Sequence, residues 1–531
     1  MKAKLSIVFF FLLGICTGQT DDVIDSMNIP KLKQNDFRIP VGTYNEAEVG
    51  FINLDPYLST TWHGLDIPHS SVKPVVGSQF VYPGFPIHVA RTKSADRESC
   101  TTRTFLFPII NALGAMEVSS LGNRSSARAG TGVGLTSHFS DKLYLRTIVM
   151  VNYYQRSLGL DNRNGILPNT YLWSENGNRR NEIQPFFRLS YTPNKFFNFQ
   201  AGIDHNFIGE GQRSMLLSDF SAPYPFVQIR STLWKFQFVN LYQFLREREG
   251  NQWQSKFAST HYLNFQASKR FQIGLFESVV FQPRDTLLNR GYEWEYLNPF
   301  LFYRPTEYSI GSQDRILLGT NFSYNFGPIM AYGQFLIDDF VLGELMSRSR
   351  WWSNKYAGQV GFKGKGRLSR NTTMTYSSEI NFARPFTFSH VNQGTNWGNQ
   401  GIPLGHPVGA NFVESFSFVE LTVKRKLRLH VEFMVAQQGG GDSNADFMYG
   451  EDIYRSYTER PYEYGYFIGG NGKLNRTRLT LEAAYMVFPK LQLEVFARPV
   501  MEWRTGVVNE QVFFVFGGMR TALWNERSLS Y

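Results

Sequence analysis

The chain has 531 residues, a formal charge of +10, 16% aromatic residues, 46 glycines and a mean hydropathy of −0.28. Beyond the first residues no stretch has the unbroken apolar length of a membrane helix, and two cysteines exclude a disulfide-built scaffold. An aromatic surplus in a mildly polar chain fits one large β-barrel, whose length grows with strand number and whose membrane interfaces collect Tyr, Trp and Phe.

Lys2 and Lys4 precede an apolar run from Leu5 to Ile15, and Cys16-Thr17-Gly18 supplies small residues at a cleavage site. This is the pattern of a signal peptide over residues 1–18, cut before Gln19. The run is too short to cross roughly 30 Å of hydrocarbon. A branched Ile15 before Cys16 fits a lipoprotein site poorly. Cleavage leaves Cys100 alone, so stability has to come from hydrogen bonds and packing. Export also excludes nucleic acid as the partner of the positive charge. Anionic lipid headgroups or acidic polysaccharide suit that compartment, though with no Lys/Arg block the charge reads equally as a generic solubilising excess.

Residues 19–112 are rich in proline, as at Ile29-Pro30, Lys73-Pro74, Tyr82-Pro83 and Phe85-Pro86, and show neither helical nor alternating periodicity. They are expected to form an irregular extension, periplasmic or plugging the lumen. Residues 113–531 carry a repeating unit of strand, short turn, strand and longer polar loop, the asymmetry of outer-membrane barrels. Short turns are expected at Ser140-Asp141-Lys142, Thr192-Pro193-Asn194-Lys195, Ser268-Lys269-Arg270, Phe326-Gly327-Pro328, Lys424-Arg425-Lys426 and Phe488-Pro489-Lys490, where the turn formers cluster. Less regular pairs lie at about 225–245 and 356–382. The alternation is plainest near the end. Leu479, Leu481, Ala483, Tyr485 and Val487 share one face, against Arg478, Thr480 and Glu482 on the other. Leu427, Leu429, Val431, Phe433 and Val435 alternate in the same way with Arg428, His430 and Glu432.

Eight such pairs, a first strand near 113–120 and a last near 511–524 predict an all-β, antiparallel transmembrane barrel of about eighteen strands. Periplasmic short turns would place the long loops outside, near 155–182, 207–224, 282–314, 339–355, 383–413 and 438–476, where recognition should sit.

Metal and nucleotide chemistry find no support. His-Glu-x-x-His and paired cysteines are absent. Asp442-Ser443-Asn444-Ala445-Asp446 starts like a calcium loop, but Ile453 stands where its last ligand, a Glu, belongs. Gly209-Glu210-Gly211-Gln212-Arg213 does not join a strand to a helix, so it is no phosphate cradle. No Ser-His-Asp order or close carboxylate pair is legible, and neither enzyme activity nor a cofactor is expected. Loop 207–224, with Glu210, Arg213 and Asp219, reads either as a segment folded back to constrict the lumen or contact ligand, or as a self-packed loop. The loops with Trp294, Tyr303 and Arg304, and with Arg384, His390, Trp397 and Asn411, combine flat aromatic faces with polar partners. Such sets stack on sugar rings and bond their hydroxyls, though an interfacial girdle has the same composition. These ten side chains are the candidate ligand contacts.

Several of these segments resemble a known group. They are Gly209–Ser214 with Leu216–Asp219, Asn298-Pro299-Phe300 with Tyr303-Arg304-Pro305, and His406–Asn411. They resemble barrels of the Bacteroidota, the RemB-type gliding-motility-associated proteins and the related Wzi-like capsule-assembly family, from about residue 105 to the end. The resemblance implies an eighteen-stranded outer-membrane lectin that helps attach capsular polysaccharide to the cell. That family carries a helical N-terminal bundle, from which the proline-rich start departs.

The expected function is therefore a non-enzymatic surface barrel that binds or organises polysaccharide, or supports gliding and adhesion. The alternatives are a diffusion channel, suggested by the inward charges at Arg428, Glu432, Arg478 and Glu482, and a subunit of an envelope secretion or motility complex. Expected partners are outer-membrane lipids, surface polysaccharide and other envelope proteins.

Overall fold

The computed structural model describes residues 85–94, 97–119, 122–140, 142–156, 171–176, 179–249, 252–283, 291–299, 314–440 and 447–521. The signal peptide, residues 19–84 of the expected extension, Tyr303, Arg304 and the Asp442–Asp446 motif lie outside them.

Eighteen strands close into one antiparallel barrel. In chain order they are β1 Arg97–Ser119, β2 Gly122–His138, β3 Leu143–Arg156, β4 Arg179–Tyr191, β5 Phe197–Asp204 and β6 Tyr224–Leu233. Next come β7 Phe236–Glu249, β8 Gln252–Gln266, β9 Phe271–Phe281, β10 Arg315–Asn325, β11 Ile329–Asp339 and β12 Lys355–Ser369. The last six are β13 Thr372–Ala383, β14 Phe412–Val423, β15 Leu427–Gln438, β16 Leu474–Phe488, β17 Leu493–Gly506 and β18 Glu510–Thr521. Each strand pairs with its sequence neighbour, and β1 pairs β18 from Asn111↔Arg520 to Ser119↔Val512, so no edge is left open. Two short strands add to the barrel: Phe85–Ser94 pairs antiparallel with the first part of β1, from Ser94↔Arg97 to Phe85↔Leu106, and Tyr171–Asn176 lies against the upper part of β4.

The expected turns join the strands as read, with further tight turns at Trp234-Lys235 and Arg370-Asn371. Both barrel termini therefore lie at the short-turn end. One connection absent from the expected loops is a hairpin at the opposite end, between β7 and β8. The first strand begins at Arg97, earlier than the alternation near 113–120 suggested. Its start is obscured by Pro108, which breaks the strand pattern. Pro108 sits where β1 leaves Phe85–Ser94 (last pair Phe85↔Leu106) and has yet to meet β18 (first pair Asn111↔Arg520), a gap in the ladder that tolerates a residue with no N–H.

The alternation resolves into two surfaces. Val431, Phe433, Tyr485, Val495 and Val360 point outward and are 45%, 47%, 50%, 47% and 56% exposed. Similar residues repeat on every side, including Val149, Phe187, Phe199, Leu275, Phe322 and Phe513. A closed barrel with an exposed apolar belt belongs in hydrocarbon, which places the chain in an outer membrane. An arginine replacing Val431, mid-strand on this belt, is expected to lower folding stability in lipid by about 2–4 kcal/mol. Urea-refolding midpoints in vesicles would measure it, with Val431→Leu unchanged as control.

Candidate functional site

The interior is not uniform. Inward residues of β6–β13 such as Gln228, Gln243, Thr260, Asn321 and Asn381 are fully buried at 0% exposure. They are covered by two long loops that fold inward.

The first loop, residues 205–223, leaves from β5 and ties to walls far round the ring. The Nε2 of Gln359 on β12 donates to the Arg213 carbonyl at 2.7 Å, and Oε1 of Gln334 on β11 accepts from the Met215 N–H at 2.9 Å. Glu379 on β13 accepts from the Gln212 N–H at 2.9 Å. Lys363 on β12 donates to the Glu210 carbonyl at 2.7 Å and lies 3.5 Å from its carboxylate, while Gln272 donates to the same carboxylate. The Arg213 guanidinium pairs with buried Glu414 on β14 and lies 4.0 Å from the centroid of the Phe416 ring. His406 completes this cluster 2.9 Å from the other Glu414 oxygen. Gly209 permits the close approach. Its φ is +138°, and a Cβ there would stand 2.4 Å from both Gln334 Nε2 and Ser214 Oγ.

The second loop, residues 384–411, leaves from β13 and runs the other way. Asn396 accepts from buried Lys256 on β8 at 2.6 Å, and the Gln400 N–H donates to the Arg246 carbonyl on β7 at 2.9 Å. The loops also bond to each other. The Trp397 indole N–H donates to the Leu216 carbonyl at 2.9 Å, Asn399 to the Ala222 carbonyl at 3.0 Å, and the Ser218 N–H to the Leu404 carbonyl at 2.6 Å. Leu216, Leu217, Phe388, Trp397, Leu404 and Ile453 belong to one buried apolar cluster. The two loops thus form a plug with its own dry core, wedged across half of the lumen.

A third segment, residues 447–473, caps this plug. Its Tyr449 carbonyl accepts from Asn411 and its Gly450 carbonyl from the Phe386 N–H. Arg384 donates to the Trp351 and Tyr466 carbonyls at 3.1 and 3.4 Å. Outside, Tyr462, Tyr464 and Phe467 are exposed, the Tyr462 and Tyr466 rings stack at 4.5 Å, and Arg350 lies over Phe467 at 5.5 Å.

The expected contacts therefore fall into distinct places. Glu210, Arg213, Trp397, Arg384 and Asn411 are buried and engaged by the protein itself. Asp219 is half-buried and acts on His205; half-buried His390 bonds Thr395 at 2.7 Å. Trp294 stands in solvent at 80% exposure. Reading an aromatic, polar loop as a ligand surface misplaces Trp397, because an inward-folded loop needs the same composition to build a core inside a polar barrel. The aromatic rim of Tyr462, Tyr464 and Phe467 was not singled out, although Arg460–Phe467 is dense in tyrosine.

Within the cap, burial pushes the Glu451 carboxyl up to about 7, and neighbouring Asp452 adds to this while the Tyr449 N–H opposes it. A carboxyl raised in the folded state is stabilising while protonated, so its contribution is full below about 4.5 and is lost as the pH rises to about 7. Limited proteolysis of residues 447–473 is expected to quicken over that range, and Glu451→Gln should flatten the profile.

Fold and interior together define a closed eighteen-stranded outer-membrane barrel whose lumen is half filled by its own inward-folded loops. No family model matches the chain, and no curated protein matches it in sequence. Among solved structures it is similar to Wzi of Escherichia coli, an outer-membrane protein involved in group 1 capsule assembly and a carbohydrate-binding β-barrel. That match has 12% identity over 77% of this chain and 84% of that one, with a TM-score of 0.48. It is also similar to Pseudomonas aeruginosa OprD, at 9% identity over 78% and 94% with a TM-score of 0.40, and to OccK1 (OpdK) of the same organism, at 10% over 78% and 97% with 0.41. The fold assigned here rests on the chain's own strand pairing.

Proposed function

We propose that this barrel is a non-enzymatic surface receptor whose long loops, facing out of the cell, bind the cell's own surface polysaccharide. The observation that supports this is the cap over the plug. Loop mass bonded to the barrel at many points ends in exposed Tyr462, Tyr464 and Phe467 with Arg350 beside them, a rigid set of flat faces and a cationic donor suited to sugar rings. Trp294 adds a separate exposed face. Retention of polysaccharide at the surface, in capsule assembly or in adhesion and gliding, would follow from such binding. Purified protein titrated with that polysaccharide should bind, and Tyr464→Ala with Phe467→Ala should weaken binding about ten-fold, at about 0.7 kcal/mol per stacked ring. Absence of binding by the unaltered protein would sink the reading. A second reading, a diffusion channel, draws on the half of the lumen that the loops leave uncovered.

A further inference from the structure

The wall that the plug leaves uncovered is lined by inward side chains of β16–β18 and of the short-turn parts of β14 and β15, since the plug reaches Glu414 and Met434 further up. Several of these side chains differ from those under the plug in both charge and hydration. They form a ladder of acids and bases in two groups, one around Glu482 and Glu494 and one around Glu502. Glu482 on β16 receives Arg428, Arg498 and Arg520 at 2.7, 2.5 and 2.7 Å. Glu494 on β17 receives Arg428 and Arg520 at 2.8 and 2.6 Å. Glu420 on β14 meets Arg428 and His430 at 3.4 Å each. Further toward the loop end, Glu502 pairs with Arg478 and Arg504, and Arg504 reaches Glu510 at 3.2 Å. One group therefore lies toward the short-turn end, where Arg428 follows the 424–426 turn, and the other toward the long-loop end, where Glu510 begins β18. The apolar cluster of Phe496, Val500, Val512, Phe514 and Phe516 lies on the same wall between and among them.

Five of the ladder's six basic members remain wet, while Arg478, at 4%, is buried. The side chains of Arg498, Arg504, Arg520, His430 and Arg428 keep 30%, 22%, 20%, 20% and 15% of their surface. Inward groups beneath the plug, such as Gln228, Gln243 and Asn321, keep none. Barrel closure cannot produce this contrast, since all these residues point inward from the same cylinder. Water-exposed charge along one wall marks a hydrated gap between that wall and the plug.

We propose that small hydrated ions cross the barrel through this off-axis gap, with the Arg–Glu ladder as its lining. The inference rests on the channel reading and is independent of polysaccharide binding. Charged side chains at a constriction set ion preference. Here acids and bases interleave along the path, so neither sign is strongly rejected and both potassium and chloride pass. Glu482 is the hub of three guanidinium groups, so neutralising it leaves an uncompensated positive stretch. Neutralising Arg498 does the reverse, at the most exposed member of the set and with little risk to folding.

The test is planar-bilayer recording of the full-length protein in a potassium chloride gradient. Discrete steps with weak selectivity are expected. Glu482→Gln should move the permeability ratio about two-fold or more toward chloride, and Arg498→Gln by a similar factor toward potassium. No steps above the bare bilayer would overturn the channel reading and this passage with it. Steps whose permeability ratio neither substitution moves would leave a channel but overturn its placement on this wall.

Discussion

Alanine at position 213 is expected to destabilise the folded barrel by about 3–5 kcal/mol, the usual result of removing one partner from a buried ion pair. Arg213 is 4% exposed and Glu414 is 1% exposed, so the stranded carboxylate cannot recover its lost partner from water. Buried His406 beside it is the remaining neighbour of that carboxylate in the pair of contacts described above. The loss includes the guanidinium contact with the Phe416 ring at 4.0 Å, which is strengthened by desolvation. Urea unfolding in detergent micelles or vesicles measures the change. Arg213→Lys should fall between the two, because an ammonium keeps the charge but not the planar fork that faces both Glu414 and the ring. A change below about 1 kcal/mol would mean that water reaches the pair and that the loop is held mainly by its amide bonds to Gln334 and Gln359.

The second large effect is at Trp397. This side chain is fully buried, donates its indole N–H to the Leu216 carbonyl at 2.9 Å, and meets Phe276 edge-on at 6.3 Å between centroids. Trp397→Ala should cost about 3–5 kcal/mol through the cavity and the unpaired carbonyl. Its distinguishing consequence is functional. Trp397 joins the two halves of the plug, so its removal should loosen both loops and let liposomes that carry the barrel take up a disaccharide faster. Trp397→Phe keeps most of the packing and should show a much smaller change in both measurements. If uptake stays at the level of the unaltered protein while stability falls, the loops are held apart from one another by their wall contacts and Trp397 serves packing alone.

The strands, their faces and most of their turns were legible because each depends on neighbours close in sequence. Leu481 and Glu482 diverge across a pleat whatever the rest of the chain does, and a lipid exterior against a wet interior assigns the faces. Lys424-Arg425-Lys426 and Phe326-Gly327-Pro328 turn where charge or Gly-Pro interrupts that alternation. With the turns placed, the strand number and the common end of both barrel termini followed. The beginning of β1 escaped because Pro108 is acceptable only in a ladder gap that the register of two other strands creates.

The fate of the loops belongs to the tertiary structure. Arg213 finds Glu414 across 201 residues and Trp397 finds Leu216 across 181, and no local pattern encodes such pairings. An aromatic loop can stack on a sugar in water or fill a polar barrel with a dry core, and the same residues serve both. What decides is whether inward polar groups such as Gln334, Gln359 and Lys256 can satisfy the loop backbone once it leaves water, because a buried N–H or C=O without a partner costs more than the apolar contacts return. The sequence by itself determined a closed barrel with charged residues inside and apolar residues outside. Only the assembled cylinder, by bringing walls five or more strands away within hydrogen-bond reach of the same loop, decided which part of the lumen is filled and which part stays wet.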